Sequence, residues 1–155
     1  MALEDLMKEV DWDHMTSGLQ KEDEVYMICP VRKATADERE FLEAYKVEME
    51  KRGFNAHYPA TDTNQGADLG GYRICIDHCD EQKRAKQIHI FWNTGSTGSY
   101  VDLGTSLYLH RSEGKPIKLI LRKPVQELVK ANEAKGVMKS YEHVLLHVDD
   151  LAKKR

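Results

Sequence analysis

Ile88-His-Ile-Phe-Trp92, running into Asn93-Thr-Gly-Ser-Thr-Gly-Ser-Tyr-Val-Asp-Leu-Gly-Thr-Ser-Leu-Tyr-Leu109, is the stretch that decides the fold. The apolar run reads as a buried strand. A Gly/Ser-rich loop follows, and the spacing predicts a helix that begins near Ser99 and ends near Gly114. Strand, loop and helix in that order gather backbone N–H groups and hydroxyls at a helix N-terminus, where anions are favoured. One carboxylate, Asp102, falls in the first turn of that predicted helix.

The pattern repeats on either side. Upstream, Val25-Tyr-Met-Ile-Cys29 is an apolar strand stopped by Pro30. Thr35-Ala-Asp-Glu38 is a capping box, and Phe41, Leu42, Tyr45 and Met49 give the helix behind it a buried face. Gly53 suits its C-terminal cap, and Phe54-Asn-Ala-His-Tyr58 is a second strand. This β-loop-α-β order is the unit of a parallel sheet. The loop from Pro59 to Gly71, roughly a dozen residues, is longer than an ordinary βα connection and is either a binding element or a surface loop. Tyr72 to Gln87 reads as a helix with Ile74, Cys75 and Cys79 inward and a charged second half. Downstream, Pro116 to Leu121 reads as a fourth strand, Val125 to Lys139 as a helix and His143 to Val148 as a fifth strand. The fold expected is α/β: a flavodoxin-like doubly wound sheet of about five mainly parallel strands with helices on both faces. Residues 1–23, with Leu3, Leu6, Met7, Val10 and Trp12, form an N-terminal helical extension; residues 24–155 form one domain.

Composition narrows the function. The chain has 155 residues, 41% hydrophobic and 32% charged, with net charge −3 and pI near 6.2. These values give no support for nucleic-acid or anionic-membrane binding. No apolar run approaches the roughly 20 residues of a membrane span. The first residues lack the pattern of a signal peptide, so a cytoplasmic location is the expectation. The three cysteines, Cys29, Cys75 and Cys79, do not make a disulfide framework. Cys75 and Cys79 lack the further ligands a metal centre needs, so no metal and no organic cofactor are expected.

In a doubly wound sheet, ligands bind outside the carboxyl ends of the strands. The loops there hold most of the unusual polar residues, which points to a small-molecule site. Asp102 has two readings. Ser99-Tyr-Val-Asp102 matches a capping box, in which the carboxylate would bond the Ser99 N–H. Alternatively it projects into the site as a nucleophile, as carboxylates do toward sugar anomeric carbons. Asp77, Asp80 and Asp62 are candidates for a second acid. Asn93, Ser96, Gly98 and Ser99 make a cradle for phosphate or hydroxyl groups, and Arg32 on a neighbouring loop can add a bidentate phosphate contact.

Tyr-Met-Ile-Cys-Pro-Val-Arg32, Pro59-Ala-Thr-Asp-Thr-Asn-Gln65 and the stretch from Ile88 to Gly104 together resemble the nucleoside 2-deoxyribosyltransferase-like superfamily, which includes 2′-deoxynucleoside 5′-phosphate N-hydrolases. The resemblance spans about Tyr26 to Leu121. It implies a flavodoxin-like sheet and a carboxylate that attacks the deoxyribose anomeric carbon, the sugar then passing to another base or to water. Asp102-Leu-Gly104 stands where the family has Glu followed by Leu-Gly or Ile-Gly, so the carboxylate is one methylene shorter. The family's helper Asp corresponds to Asp77 or Asp80, Asp77 being nearer the helix start. Arg32, Ser96 and Ser99 match residues that hold a 5′-phosphate in the monophosphate hydrolases, although the first loop lacks their glycines. The resemblance also implies a homo-oligomer. The functions expected are cleavage or transfer of an N-glycosidic bond on a (deoxy)nucleoside or its monophosphate, or retention of a nucleotide-like ligand without turnover. Glycosidase action on a nicotinamide dinucleotide is a third class.

Overall fold

Thr35 opens the first long helix of the computed structural model, which describes residues 2–65 and 70–153. Its hydroxyl accepts from the Glu38 N–H at 3.1 Å, and the Glu38 carboxylate accepts from the Thr35 N–H at 2.9 Å. This capping box starts α3 (Ala36–Lys51), which follows α1 (Leu3–Glu9), α2 (Trp12–Thr16) and β1 (Glu24–Ile28). Next come β2 (Asn55–His57), α4 (Pro59–Asp62), α5 (Tyr72–Arg84), β3 (Gln87–Ile90) and α6 (Thr97–Glu113). The chain finishes with β4 (Ile117–Leu119), α7 (Arg122–Ala134) and α8 (Tyr141–Lys153). Residues 66–69 of the long loop, and the last two residues of the basic end, lie outside the described residues.

The four strands are all parallel, in the order β2-β1-β3-β4. Alternation along β1 divides the core. Val25, Met27 and Cys29 pack with Phe41, Leu42, Tyr45 and Met49 of α3 on one face. Tyr26 and Ile28 pack on the other face with Leu103 of α6, Val125 of α7 and Leu145 of α8. Helices cover both faces, an arrangement consistent with a doubly wound α/β sheet.

The expected fifth strand is absent. His143 to Val148 lies inside α8. A short apolar run suits either period, and here the helical one wins. Leu145, Val148 and Ala152 share a buried face, and Asp149 beside them is 1% exposed. Asp149 also does part of a strand's work. Within the β3–β4 ladder Ile120 donates to Ile90, while the Leu119 N–H alternates to the free edge of β4. That N–H donates to Asp149 Oδ1 at 2.9 Å. A helix side chain thus closes a sheet edge that would otherwise invite pairing with another chain. Other expected boundaries move as well. α5 ends at Arg84 and α7 at Ala134, before Gln87 and Lys139, and Cys75 and Cys79 are exposed on α5.

The N-terminal helices pack onto the α3 side of the sheet. Val10 and Met15 are buried, Trp12 stacks on Tyr45 with ring centroids 5.3 Å apart, and Arg52 lies 4.6 Å over the Trp12 ring. Buried Lys118 donates to the carbonyls of His14 and Ser17 at 2.7 and 2.8 Å. Its burial pulls the ammonium down to about 8. No described helix is long and apolar enough to cross a membrane.

Asp149 joins these layers. It accepts from Leu119, pairs with His14 at 2.8 Å and takes a bond from Arg122 at 2.6 Å. Burial alone would raise its carboxyl; bonds from His14, Leu119 and Arg122 outweigh burial and hold it below the usual range. A depressed native value gives stability that is present above the unfolded value of about 3.9 and lost as pH falls through the native one. Asp149→Ala should cost roughly 3 kcal/mol at neutral pH. Urea melts from pH 7 downward should show the wild type converging on the variant below pH 4.

Candidate functional site

A cavity of about 460 Å³ opens outside the carboxyl ends of β1, β2 and β3. Strand order reverses there, since β1 is flanked by β2 on one side and β3 on the other. Cys29, Arg32 and Lys33 line it after β1, Pro59 and Gln65 after β2, and Gly95 to Gly98 after β3. Ile74, Cys75 and His78 of α5 form a further wall.

Asp102 lies at the bottom of this arrangement, 9% exposed. α6 starts at Thr97, two residues earlier than its spacing predicts, with Ser96 as N-cap. Asp102 therefore sits in the second turn. The Ser99 N–H donates to the Ser96 carbonyl at 3.1 Å, which removes the capping-box reading of the carboxylate. Instead Asp102 Oδ2 accepts from the Tyr26 hydroxyl at 2.9 Å, and Oδ1 lies 3.4 Å from His78 Nδ1. Tyr26 reaches it because β1 is central and its even-numbered residues face α6. The ring stacks on His57 of β2 at 5.4 Å and meets His78 edge-on at 5.8 Å. Burial, reinforced by the Asp102 charge, pushes the Tyr26 phenol well above its ordinary value. Burial likewise raises the Cys29 thiol and lowers the His57 imidazole. Tyr26 and Cys29 are thus neutral groups around one carboxylate.

The other candidates divide. Arg32, Ser96 and Gly98 line the cavity with Asp102. Ser99 is buried behind that wall, its hydroxyl 2.8 Å from that of Ser96. Asn93 shapes the loop: its Oδ1 accepts from the Gly95 N–H at 2.8 Å, and its Nδ2 donates to Glu38 at 3.0 Å. Asp62 faces a separate, smaller hollow, where Lys46 holds it at 2.5 Å and the Tyr58 N–H donates to it at 2.8 Å. Asp77 pairs with Arg73 one turn earlier at 3.3 Å, and Asp80 is exposed; neither lines the cavity. A helix advances about 100° per residue, so the residue turned toward Asp102 is His78.

Tyr26 and His78 are the residues that sequence reasoning missed. The signal for Tyr26 was faint: a hydroxyl inside an apolar strand that needs a buried partner. His78 lies between Cys75 and Cys79, and no pattern in the sequence sets it apart. Among the described residues no group of three or more His, Cys, Asp or Glu side chains is placed to hold a metal ion.

No match emerges from comparison with protein-family models, curated proteins or solved structures. The site therefore has to be read from its own geometry.

Of the seven tyrosines, Tyr26 should stay unionised through the ordinary phenol range near 10. Ultraviolet titration of native Tyr26→Phe should show the same phenolate amplitude as wild type until unfolding. Removing the hydroxyl bonded to a carboxylate should cost about 1.5–3 kcal/mol, read from urea midpoints.

Proposed function

We propose that this chain cleaves or transfers the N-glycosidic bond of a (deoxy)nucleoside or nucleoside 5′-monophosphate, with Asp102 as nucleophile. The observation that carries the reading is the Asp102 carboxylate. It is withdrawn from its own helix, held by a neutral phenol and placed on a cavity at the sheet's switch point. At about 460 Å³ the cavity falls within the roughly 300–1,000 Å³ typical of small-molecule sites.

In the chemistry proposed, an Asp102 oxygen attacks the anomeric carbon as the carbon–nitrogen bond breaks and the base leaves with the electron pair. Water or a second base then attacks the same carbon, and the ester's electron pair returns to Asp102. Tyr26 donates to the oxygen that does not attack and fixes the carboxylate plane. Arg32, Ser96 and the N-terminus of α6 suit an anionic group on the sugar. The placing of the chain with the nucleoside 2-deoxyribosyltransferase-like proteins belongs to the same proposal. So does a flavodoxin-like arrangement, whose strand order this sheet matches without the fifth strand.

A homo-oligomer is part of the reading. Tyr72 and Ile76 of α5, and Val101 and Tyr108 of α6, leave large apolar side chains exposed on neighbouring helices beside the cavity. Light scattering should give a mass above 17.8 kDa for the wild type, and a lower mass for a Val101→Glu, Tyr108→Glu double variant.

The second reading is a binder without turnover. The shorter Asp favours it, because a displacement near one ångström can cost about 10²-fold in rate. Incubation with a panel of deoxynucleosides, ribonucleosides, their monophosphates and a nicotinamide dinucleotide, followed by chromatography of free base, separates the readings. We expect base release that Asp102→Ala lowers by at least about 10³-fold. Thermal stabilisation by a nucleotide with no base release would favour the binder. Nicotinamide release would assign the third class.

A further inference from the structure

We propose that His78 is a positioning residue that sets the orientation of the Asp102 carboxylate. This deepens the reading of Asp102 as the reacting group and rests on it.

An ionised carboxylate only accepts hydrogen bonds. The imidazole nitrogen facing Asp102 Oδ1 at 3.4 Å is Nδ1, so the proposal places the hydrogen on Nδ1. In the neutral ring Nε2 is then the bare nitrogen. That Nε2 is buried and has no hydrogen-bond partner among the described residues. Two other histidines, His89 and His57, have polar neighbours at both nitrogens. His89 meets Tyr45 at 2.6 Å through Nδ1 and Gln87 at 3.1 Å through Nε2. His57 meets Thr63 at 2.8 Å through Nε2 and lies 3.6 Å from Glu81 through Nδ1. Those rings are tied into the architecture. Among the described residues, the polar neighbour of the His78 ring is the carboxylate on the cavity wall.

Groups on different elements therefore flank opposite oxygens of Asp102: the Tyr26 phenol donates to Oδ2, and His78 Nδ1 approaches Oδ1 at 3.4 Å. The phenol fixes one oxygen from the central strand, and the imidazole limits rotation of the other, so the attacking oxygen keeps one direction.

The test has two arms. In base-release kinetics, His78→Ala should lower kcat by about 10²-fold with KM within about twofold. His78→Asn keeps a donor near the place of Nδ1 and should recover most of kcat. Thermal melts check that both variants are folded. Equal loss of kcat in both folded variants would overturn the proposal. The second arm does not need turnover. Long-range proton–nitrogen spectra of ¹⁵N-histidine-labelled protein at alkaline pH should show His78 with hydrogen on Nδ1, and should revert to the Nε2–H form in Asp102→Ala. Hydrogen on Nε2 in the wild type would refute the positioning role even if the protein releases base. Hydrogen on Nδ1 without base release would leave the pairing standing and count against the glycosidase reading alone.

Discussion

The hydrogen bond from Tyr26 to Asp102 is the contact on which the site depends. A carboxylate at 9% exposure has lost most of its water and needs protein donors in exchange. Its own helix cannot supply them, because the N-terminal amides of α6 lie a full turn away and Ser99 already bonds Ser96. The donor comes from the central strand. Tyr26 is locked by its ladder to Ile88 and His57 and by stacking on the His57 ring. The sheet thus fixes the phenol, the phenol fixes the carboxylate, and the first turns of α6 follow.

The opposite face of the sheet shows the same economy of buried polar groups. Lys118, Gln87 and His89 point toward the α3 side, where an ordinary parallel sheet would show only apolar residues. Each has a partner there. Lys118 and Gln87 hold the end of α2 through the Ser17 carbonyl, and His89 bridges Gln87 and Tyr45. The N-terminal helices are in effect the hydrogen-bonding surface that Lys118 and Gln87 require. Asp149 completes the arrangement at the sheet edge by binding His14 of α2 and Leu119 of β4 together.

Local chemistry made part of this legible. The capping box at Thr35, the apolar run of β1, Gly53 after α3 and the Gly/Ser loop before α6 each act within a few residues, and each stands where the sequence puts it. What failed depends on distant partners. His143 to Val148 fits a strand or a helix equally well, and Asp149 decides the matter only through Leu119, His14 and Arg122. The inward face of α5 was misread for a related reason. Cys75 and Cys79 are the apolar choice, but the positions that turn inward hold His78 and Gln82. These meet the cavity and the Ser106–Lys115 contacts, so polar residues belong there. Choosing between Asp77 and Asp80 as a second acid could not have found His78, which lies one helical step away.

The short side chain of Asp102 also has a geometric consequence. Its oxygen is 2.9 Å from a phenol that the sheet cannot move. The carboxylate therefore stays at the level of the sheet's carboxyl edge, and on the proposed chemistry a reacting carbon has to come down to it, within roughly 3–3.5 Å. The cavity floor permits this. Cys29 follows β1 there as a small, neutral thiol, and Gly98 leaves open space where a Cβ would stand. On the proposed chemistry, the missing methylene of the nucleophile is offset by how deeply the sugar can sit, which makes the small residues at positions 29 and 98 as consequential as the carboxylate itself.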